Sequence, residues 1–477
     1  MNINEIKTKY IENLKLINAY SHALKVFHFD HSTIAPKKSM AERNDTLSIL
    51  SNIIFQKQMD SEHIELLKTL YNNRNELDEY TKRLVEINYN NYIKSQFITP
   101  ELQYKYSLAT SNGYTAWLEA KEKQDYNLFK EALGEIIKLQ QEMIALRPTQ
   151  LNSPYDSLLD DYEKDHNTLV LDKFFNELKA GIIPLLKQIM SSNKRIREDF
   201  LTNKVKISKQ ESFSLYLLKL IGFDLDAGLL STTEHPFTSK ISTHDVRVTT
   251  HYYENLFVSN IFSTIHEGGH AIFGQNEPLE VVNHLVDDNM SAAMHECISR
   301  MYENMVGRSK EFIHTIYPKF SKLFKSEFKD VTENELYEGI NAVHPSLIRI
   351  ESDELTYCLH IIIRYEIERD LINGTLSVEN ALTVHWIADG KVIHVGNTID
   401  LDAYSDQIGS YVRAEAFGHG GVLYTQAFTL DYDNAPESEN SFFFDFGNII
   451  TKLKSPSLSI FDTRTFKFDI LFLKGII

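Results

Sequence analysis

Residues Thr264–Phe273 read Thr-Ile-His-Glu-Gly-Gly-His-Ala-Ile-Phe, and this stretch sets the fold and the chemistry that the chain can have. His266 and His270 are four residues apart, so on a helix their side chains lie on one face, one turn apart. Two imidazoles at this spacing can hold one zinc ion, and Glu267 lies within reach of a water on that ion. The apolar residues around them recur at helical spacing and predict a buried helix.

Two glycines separate the histidines of this predicted helix. Gly268 and Gly269 oppose helix formation by about 1 kcal/mol each relative to alanine, which makes them unusual in a purely structural helix. We expect glycines at positions where a substrate must approach the helix backbone closely. The pair therefore favours a functional interpretation of the helix.

A hydrolytic zinc site needs a third protein ligand, with the fourth position left to water. Residues Ser291–Arg308 predict another helix, and Glu296 near its start is the best candidate. Two histidines from one helix and a glutamate from the next form a known catalytic zinc set. The alternative is that Glu296 is an ordinary exposed glutamate on a helix surface.

The composition of the whole chain limits the class of protein. With 477 residues and 43% hydrophobic residues the chain can bury a large core. A formal net charge of −17 argues against nucleic-acid binding and against attachment to an anionic membrane. No apolar run approaches the roughly 20 residues that span a bilayer, and the N-terminus lacks a signal-peptide pattern. Only two cysteines, Cys297 and Cys358, are present, so we expect a reducing compartment, the cytoplasm.

The pattern along the chain predicts a mainly α protein formed by one large helical domain over residues 1–477. Helices are expected at Phe129–Leu146, Leu169–Met190 and 346–373, among others. Residues 246–250 alternate like a short strand just before the histidine-bearing helix. Such a strand could bind an extended substrate by adding it to a sheet.

Several motifs in the same order resemble the thermostable carboxypeptidase Taq family of metallocarboxypeptidases. His266-Glu-Gly-Gly-His270 is followed by His295-Glu296, and both are preceded by His235-Pro-Phe and Asp245-Val-Arg247-Val-Thr249. Ile348-Arg349-Ile-Glu-Ser352-Asp353 matches the family's Ile-Arg-x-x-Ala-Asp except at Ser352. The similarity covers roughly residues 1–380.

The C-terminal part, residues 380–477, departs from the family. The late motif Gly-x-x-Gln-Asp-x-His-Trp survives only as His385-Trp386, and the motif His-Glu-Ser is His-Glu-Cys297 here. Substrate-binding groups that this region supplies in the family are therefore in question, whereas the metal set is intact.

The resemblance implies a divalent metal, usually zinc and sometimes cobalt, on His266, His270 and Glu296, inside a helical fold that encloses a deep groove. Glu267 would be the general base of peptide hydrolysis, and the enzyme would be a homodimer. A carboxypeptidase must also bind a free carboxylate, for which an arginine is best suited.

The candidates for carboxylate binding are Arg349 and Arg247. Each could instead form a structural ion pair, Arg349 with Asp353 and Arg247 with Asp245 or Glu254. His235 is either a substrate contact or a turn residue, and His385 or a nearby tyrosine could supply the oxyanion donor.

Three functions remain open from the sequence. The leading one is a cytoplasmic zinc carboxypeptidase that acts on peptides. A metallo-oligopeptidase that cleaves internal bonds would use the same metal chemistry without an arginine for the terminal carboxylate. An inactive relative that binds peptides is the third, motivated by the loss of the late motif.

Overall fold

A computed structural model describes residues 2–123, 125–148, 151–287, 290–346 and 349–378, together with Tyr404 and the backbone of short strands between residues 383 and 429. The fold is mainly α-helical, as predicted. The N-terminal helices are α1 (Ile3–Thr33), α2 (Met40–Gln58), α3 (Ser61–Asn72), α4 (Glu79–Ser95), α5 (Pro100–Lys123), α6 (Asn127–Ala145), α7 (Pro154–Tyr162) and α8 (Thr168–Met190). The later helices are α9 (Ile207–Ile221), α10 (Phe257–Gln275), α11 (Leu279–Asn283), α12 (Ala292–Arg300), α13 (Lys310–Leu323), α14 (Glu333–Ile340) and α15 (Glu354–Ile372).

Among the described residues, several apolar cores hold the helices together, and three of them are formed mainly between helices. One joins α1, α3 and α4 around Tyr10 and Leu70, and a second joins α5, α6, α7 and α15 around Ile136. The third lies under α9, α10, α13 and α14 and is rich in phenylalanine, including Phe213 and Phe320. The third core contains Phe257, Phe262 and Ile265 of α10, so it buries one side of the helix that carries both histidines.

The last predicted helix begins later than its apolar pattern indicated. Residues Arg349–Glu351 form a separate 3-10 turn, and α15 starts only at Glu354. The reason is the cap: the Asp353 carboxylate accepts hydrogen bonds from the backbone N–H groups of Leu355 and Thr356, which begins the helix there. Gly374 follows the helix with a φ of +74°, a conformation that suits glycine, so the predicted end is close.

A three-stranded sheet lies beside α10. Its strands are β1 (Gly228–Thr232), β2 (Thr238–Ser242) and β3 (Asp245–Thr250), in the order β1-β3-β2, with β1 parallel and β2 antiparallel to β3. Val246 and Val248 of β3 pack against Ala271 of α10. The predicted strand exists, but it is the central one with a partner on each side, so the expectation that it adds a substrate strand was wrong.

A second sheet follows α15. It contains β4 (Thr383–Ala388), β5 (Lys391–Val395), β6 (Tyr411–Gly418), β7 (Gly421–Tyr424) and β8 (Phe428–Thr429). All of its pairings are antiparallel, in the order β5-β4-β6-β7, with β8 also paired to β6. Residues 430–477 lie outside the described residues, so the assignment of 1–477 to one domain stays a prediction. Within the described part of the chain, no helix has the length and apolar character needed to cross a membrane.

Candidate metal centre and substrate cleft

Three side chains from two helices converge at one point. The Nε2 atoms of His266 and His270 on α10 lie 3.8 and 3.7 Å from the same Oε2 atom of Glu296 on α12. All three ligand atoms lie within 4.8 Å of one another. Glu296 is 47% exposed, so it is a surface glutamate as well as the partner of both imidazoles.

This donor set fits a divalent metal. Ligand atoms at the zinc bond length of about 2.1 Å and at a tetrahedral angle lie roughly 3.4 Å apart, close to the separations observed here. Neither Nε2 atom of the two imidazoles needs a large movement to meet one ion. His266, His270 and Glu296 could therefore hold one metal ion, with a coordination position left open.

The Nδ1 atom of His266 lies 2.8 Å from the carboxylate of Glu303, a residue that the sequence interpretation missed. Glu303 belongs to a π-helical turn, Met301–Gly307, that continues α12. Burial alone would raise the pKa of Glu303, but His266 and the two neighbouring arginines hold the pKa at about 2. Burial alone would likewise lower the pKa of His266, but the hydrogen bond to Glu303 and the surrounding carboxylates raise it above its ordinary value.

The carboxylate of Glu267 is buried and points toward β2. The hydroxyl of Thr238 lies 2.7 Å from its Oε2 atom and 2.8 Å from its backbone carbonyl oxygen. A hydroxyl has one proton, so it donates to one of these acceptors at a time. Thr238 directly follows the His235-Pro-Phe stretch, which explains how β2 reaches the histidine-bearing helix.

The two histidines, Glu267, Glu296 and Glu303 line a cleft that is open to solvent. Helix α10 contributes Ser259, Ser263 and the histidine turn, while Arg300, Arg349 and Tyr357 line it from other elements.

The sequence profile of the carboxypeptidase Taq (M32) metallopeptidases matches residues 9–392. The chain belongs to this family. Carboxypeptidase 1 of Bacillus subtilis (strain 168) is 41% identical over 383 residues, which is 80% of this chain and 76% of that protein. Thermostable carboxypeptidase 1 of Thermus thermophilus is 34% identical over 384 residues, 78% of this chain and 73% of that protein. The crystal structure of the M32 carboxypeptidase from Deinococcus radiodurans R1 matches with a TM-score of 0.72 at 28% identity, covering 79% of this chain and 75% of that one.

The chain is thus a metallocarboxypeptidase, a hydrolase of peptide bonds, and the family resemblance is confirmed. Membership of the family implies a divalent metal, for which the cluster of two histidines and a glutamate is suited. The profile match ends inside β5, so the remainder of the C-terminal part that we predicted to diverge lies beyond it.

The four candidates for substrate binding in this carboxypeptidase are placed differently. Arg349 and His235 line the cleft, whereas Arg247 is not among the described residues that do so. Arg247 forms two hydrogen bonds of 2.8 Å with Asp245, the structural ion pair that was its alternative, and covers the ring of Phe29. The backbone of His385 lies in β4, and its side chain is outside the described residues.

The carboxylate of Asp353, the partner that the alternative interpretation gave to Arg349, caps α15. The guanidinium of Arg349 hydrogen-bonds the hydroxyl of Tyr357 and lies 5.2 Å from the ring centre. The guanidinium carbon of Arg300 lies 3.5 Å from the same ring centre. The tyrosine ring therefore lies beside two guanidinium groups, close to Glu296.

Gly268 and Gly269 of α10 have a packing role that the sequence interpretation missed. A Cβ atom on Gly269 would lie 2.9 Å from the Cα atom of Ser299 on α12. A Cβ atom on Gly268 would lie 2.6 Å from a methyl carbon of Ile221 on α9. We expected the glycines to admit a substrate, and this expectation was wrong. Neighbouring helices, not a substrate, approach the backbone of α10 at these positions, and the absence of a side chain on glycine makes that approach possible.

Proposed function

We propose that this metallocarboxypeptidase is a zinc enzyme that removes the C-terminal residue of peptides, with His266, His270 and Glu296 as metal ligands. The observation that carries the proposal is the convergence of these three ligand atoms beside Glu267 in a member of a carboxypeptidase family. Cobalt is a second metal that the same nitrogen and oxygen donors accept.

The proposed chemistry divides between the metal and Glu267. A bound zinc ion would act as a Lewis acid that lowers the pKa of a water and polarises the scissile carbonyl. Glu267 accepts the proton of the attacking water and delivers it to the leaving amine as the peptide bond breaks. Its buried carboxylate is held by Thr238, which supports a fixed orientation during both transfers.

We assign recognition of the terminal carboxylate to Arg349. Arg349 is 6% exposed as a whole residue and lines the cleft, and its guanidinium hydrogen-bonds the hydroxyl of Tyr357. A planar guanidinium can bind a carboxylate through two parallel hydrogen bonds, which selects the chain end over an internal peptide bond. His235 is a further proposed substrate contact because it also lines the cleft.

Two comparisons test this proposal. Wild-type enzyme should release single residues from an N-blocked peptide with a free C-terminus and should not cleave its C-terminally amidated form. Cleavage of internal bonds in both peptides would instead establish an oligopeptidase. Glu267→Gln should keep the metal and lose activity by about 10²–10⁴-fold, the usual contribution of a general base. Near-normal turnover of that variant would refute the role of Glu267.

Arg349 has a matched control in Arg247. Arg349→Lys keeps the charge but loses the planar pair of donors, so KM for the free peptide should rise by about 10–100-fold. Arg247 pairs with Asp245 and is not among the described residues that line the cleft, so Arg247→Lys should leave KM unchanged. Equal effects of the two substitutions would contradict the assignment.

We also propose, from the family resemblance, that the enzyme is a homodimer, and from its chemistry that it works in the cytoplasm. Cys297 and Cys358 are free thiols, which suits a reducing compartment. Light scattering of the purified protein tests the dimer: a mass twice that of one chain is expected, and a monomeric mass would refute it.

A further inference from the structure

Four side chains form a closed ring, with the proposed metal position on the side between His266 and Glu296. The Nδ1 atom of His266 lies 2.8 Å from Oε2 of Glu303, which lies 2.7 Å from NH1 of Arg300. The Nε atom of Arg300 lies 3.4 Å from Oε1 of Glu296. The other oxygen of Glu296 faces the Nε2 atoms of both imidazoles, which closes the ring at His266.

Glu303 determines which nitrogen of His266 carries the proton. An ionised carboxylate only accepts hydrogen bonds, so the Nδ1 atom of His266 must donate. The Nε2 atom of the neutral imidazole then presents its lone pair toward Glu296 and His270. Histidines that bind metals commonly donate their second nitrogen to a carboxylate in this way, which fixes the ring and raises its basicity.

Two arginines face Glu303, whose side chain is only 12% exposed. Arg300 donates to it, and the NH2 atom of Arg308 lies 3.9 Å from its other oxygen. These contacts place the carboxylate between the two guanidinium groups and His266. They therefore fix the position of the oxygen that faces the Nδ1 atom of His266.

Arg300 connects the two carboxylates of the ring. Its Nε atom faces Glu296 and its NH1 atom faces Glu303, while the plane of the guanidinium lies 3.5 Å from the centre of the Tyr357 ring. A guanidinium can make these three contacts at once because it is planar and presents five donors. The stacking on Tyr357 fixes the position from which Arg300 holds one oxygen of Glu296, leaving the other to face the imidazoles.

The backbone brings the ring together. Glu303 lies in the π-helical turn Met301–Gly307, and such turns often occur at functional sites. Helices α10 and α12 meet at Gly269. Because this residue has no side chain, its backbone can approach Ser299 of α12 closely. The close contact places the first residues of the π turn next to the histidines of α10.

We propose that Glu303 and Arg300 are positioning residues that set the metal affinity of this enzyme by holding His266 and Glu296 in the geometry for binding. The inference rests on the proposed function, because it assumes that the metal binds to His266, His270 and Glu296. It assigns to Glu303 and Arg300 a role in metal binding without contact with the metal.

The test measures zinc dissociation constants by chelator competition on the purified full-length chain, with the visible absorption of the cobalt-loaded protein as a spectroscopic signature. Glu303→Gln preserves size and an acceptor oxygen but removes the charge, and it should weaken zinc binding by about 10–100-fold. It should also shift the cobalt absorption bands. Glu311→Gln, an exposed substitution of the same kind on α13, should change neither quantity.

Arg300→Lys is the second variant, chosen in case Glu303→Gln does not fold. A lysine keeps the charge but cannot face two carboxylates and stack on Tyr357 together, so zinc affinity should fall by about tenfold. Wild-type affinity and unchanged cobalt bands in a folded positioning variant would overturn the inference while leaving the proposed function intact. Absence of zinc binding by the wild-type chain would overturn the proposed function and this inference with it.

Discussion

The packing of α10 against α12 makes a quantitative prediction for Gly269→Ala. The added Cβ atom would lie 2.9 Å from Cα of Ser299 and 3.2 Å from two carbons of Tyr302. Carbon atoms normally stay at least about 3.5 Å apart, so α12 must retreat by roughly 0.6 Å at this contact. Overpacking of this kind costs about 1–3 kcal/mol, and the better helix propensity of alanine returns about 1 kcal/mol.

We therefore expect Gly269→Ala to lower the free energy of unfolding by about 1 kcal/mol, the balance of the two effects. Movement of α12 displaces Glu296 from His266 and His270, which belong to α10. A shift above about 0.5 Å exceeds the tolerance of a preorganised site, so zinc affinity should fall by about tenfold.

Gly181→Ala is the control, because Gly181 on α8 has nothing within 4 Å of an added Cβ atom. This substitution should raise the free energy of unfolding by up to about 1 kcal/mol and leave zinc affinity unchanged. Urea unfolding and chelator competition measure both quantities. If Gly269→Ala is as stable as Gly181→Ala and binds zinc normally, the packing explanation of the glycine is wrong.

The remaining predictions concern three other groups. Burial raises the pKa of Glu368 to about 7, so the folded state holds this proton more tightly than the unfolded state does, and stability falls as pH rises from about 4.5 to 7. Glu368→Gln should therefore be more stable than wild type at pH 8, by at most about 3 kcal/mol, with the difference vanishing near pH 4.5; a pH-independent difference in urea unfolding would contradict this. Asp353→Ala should lower the free energy of unfolding by about 1 kcal/mol because α15 loses its N-cap, and it should raise KM because the start of α15 adjoins the turn Arg349–Glu351. The matched cap variant Asp60→Ala on α3 should cost a similar amount at unchanged KM. Thr238→Val should lower kcat by about tenfold through loss of the hydrogen bond to Glu267, and Thr238→Ser should restore it; equal kcat values in all three proteins would exclude a positioning role.

The metal cluster could be predicted from the sequence because helix geometry fixes the relative positions of side chains that are close in sequence. His266 and His270 must share a face, and Glu296 lies near the start of the helix predicted at Ser291–Arg308. Glu303 could have been found by the same reasoning, since it lies about two helical turns after Glu296 and therefore on the same face. This spacing alone does not single out Glu303, because most glutamates on helices are exposed to solvent and have no role in a site.

Contacts between distant segments could not be derived in this way. The pairing of Arg300 with Tyr357, and of Thr238 with Glu267, depends on how α15 and β2 pack against α10 and α12. The two glycines illustrate the same limit, because their residue type indicates a close approach but not which neighbour approaches. The order of strands in the first sheet is a third case, since the sequence indicates a strand at 246–250 but not that it has two partners.

The central claim is that one metal on His266, His270 and Glu296 supports removal of C-terminal residues. The most direct test measures bound metal and turnover on a single preparation, with an N-blocked peptide that has a free C-terminus as substrate. The account predicts about one zinc per chain, the capacity of a single three-ligand site, and release of single C-terminal amino acids. Stoichiometric zinc without any cleavage would contradict it and would indicate a protein that binds peptides without hydrolysing them.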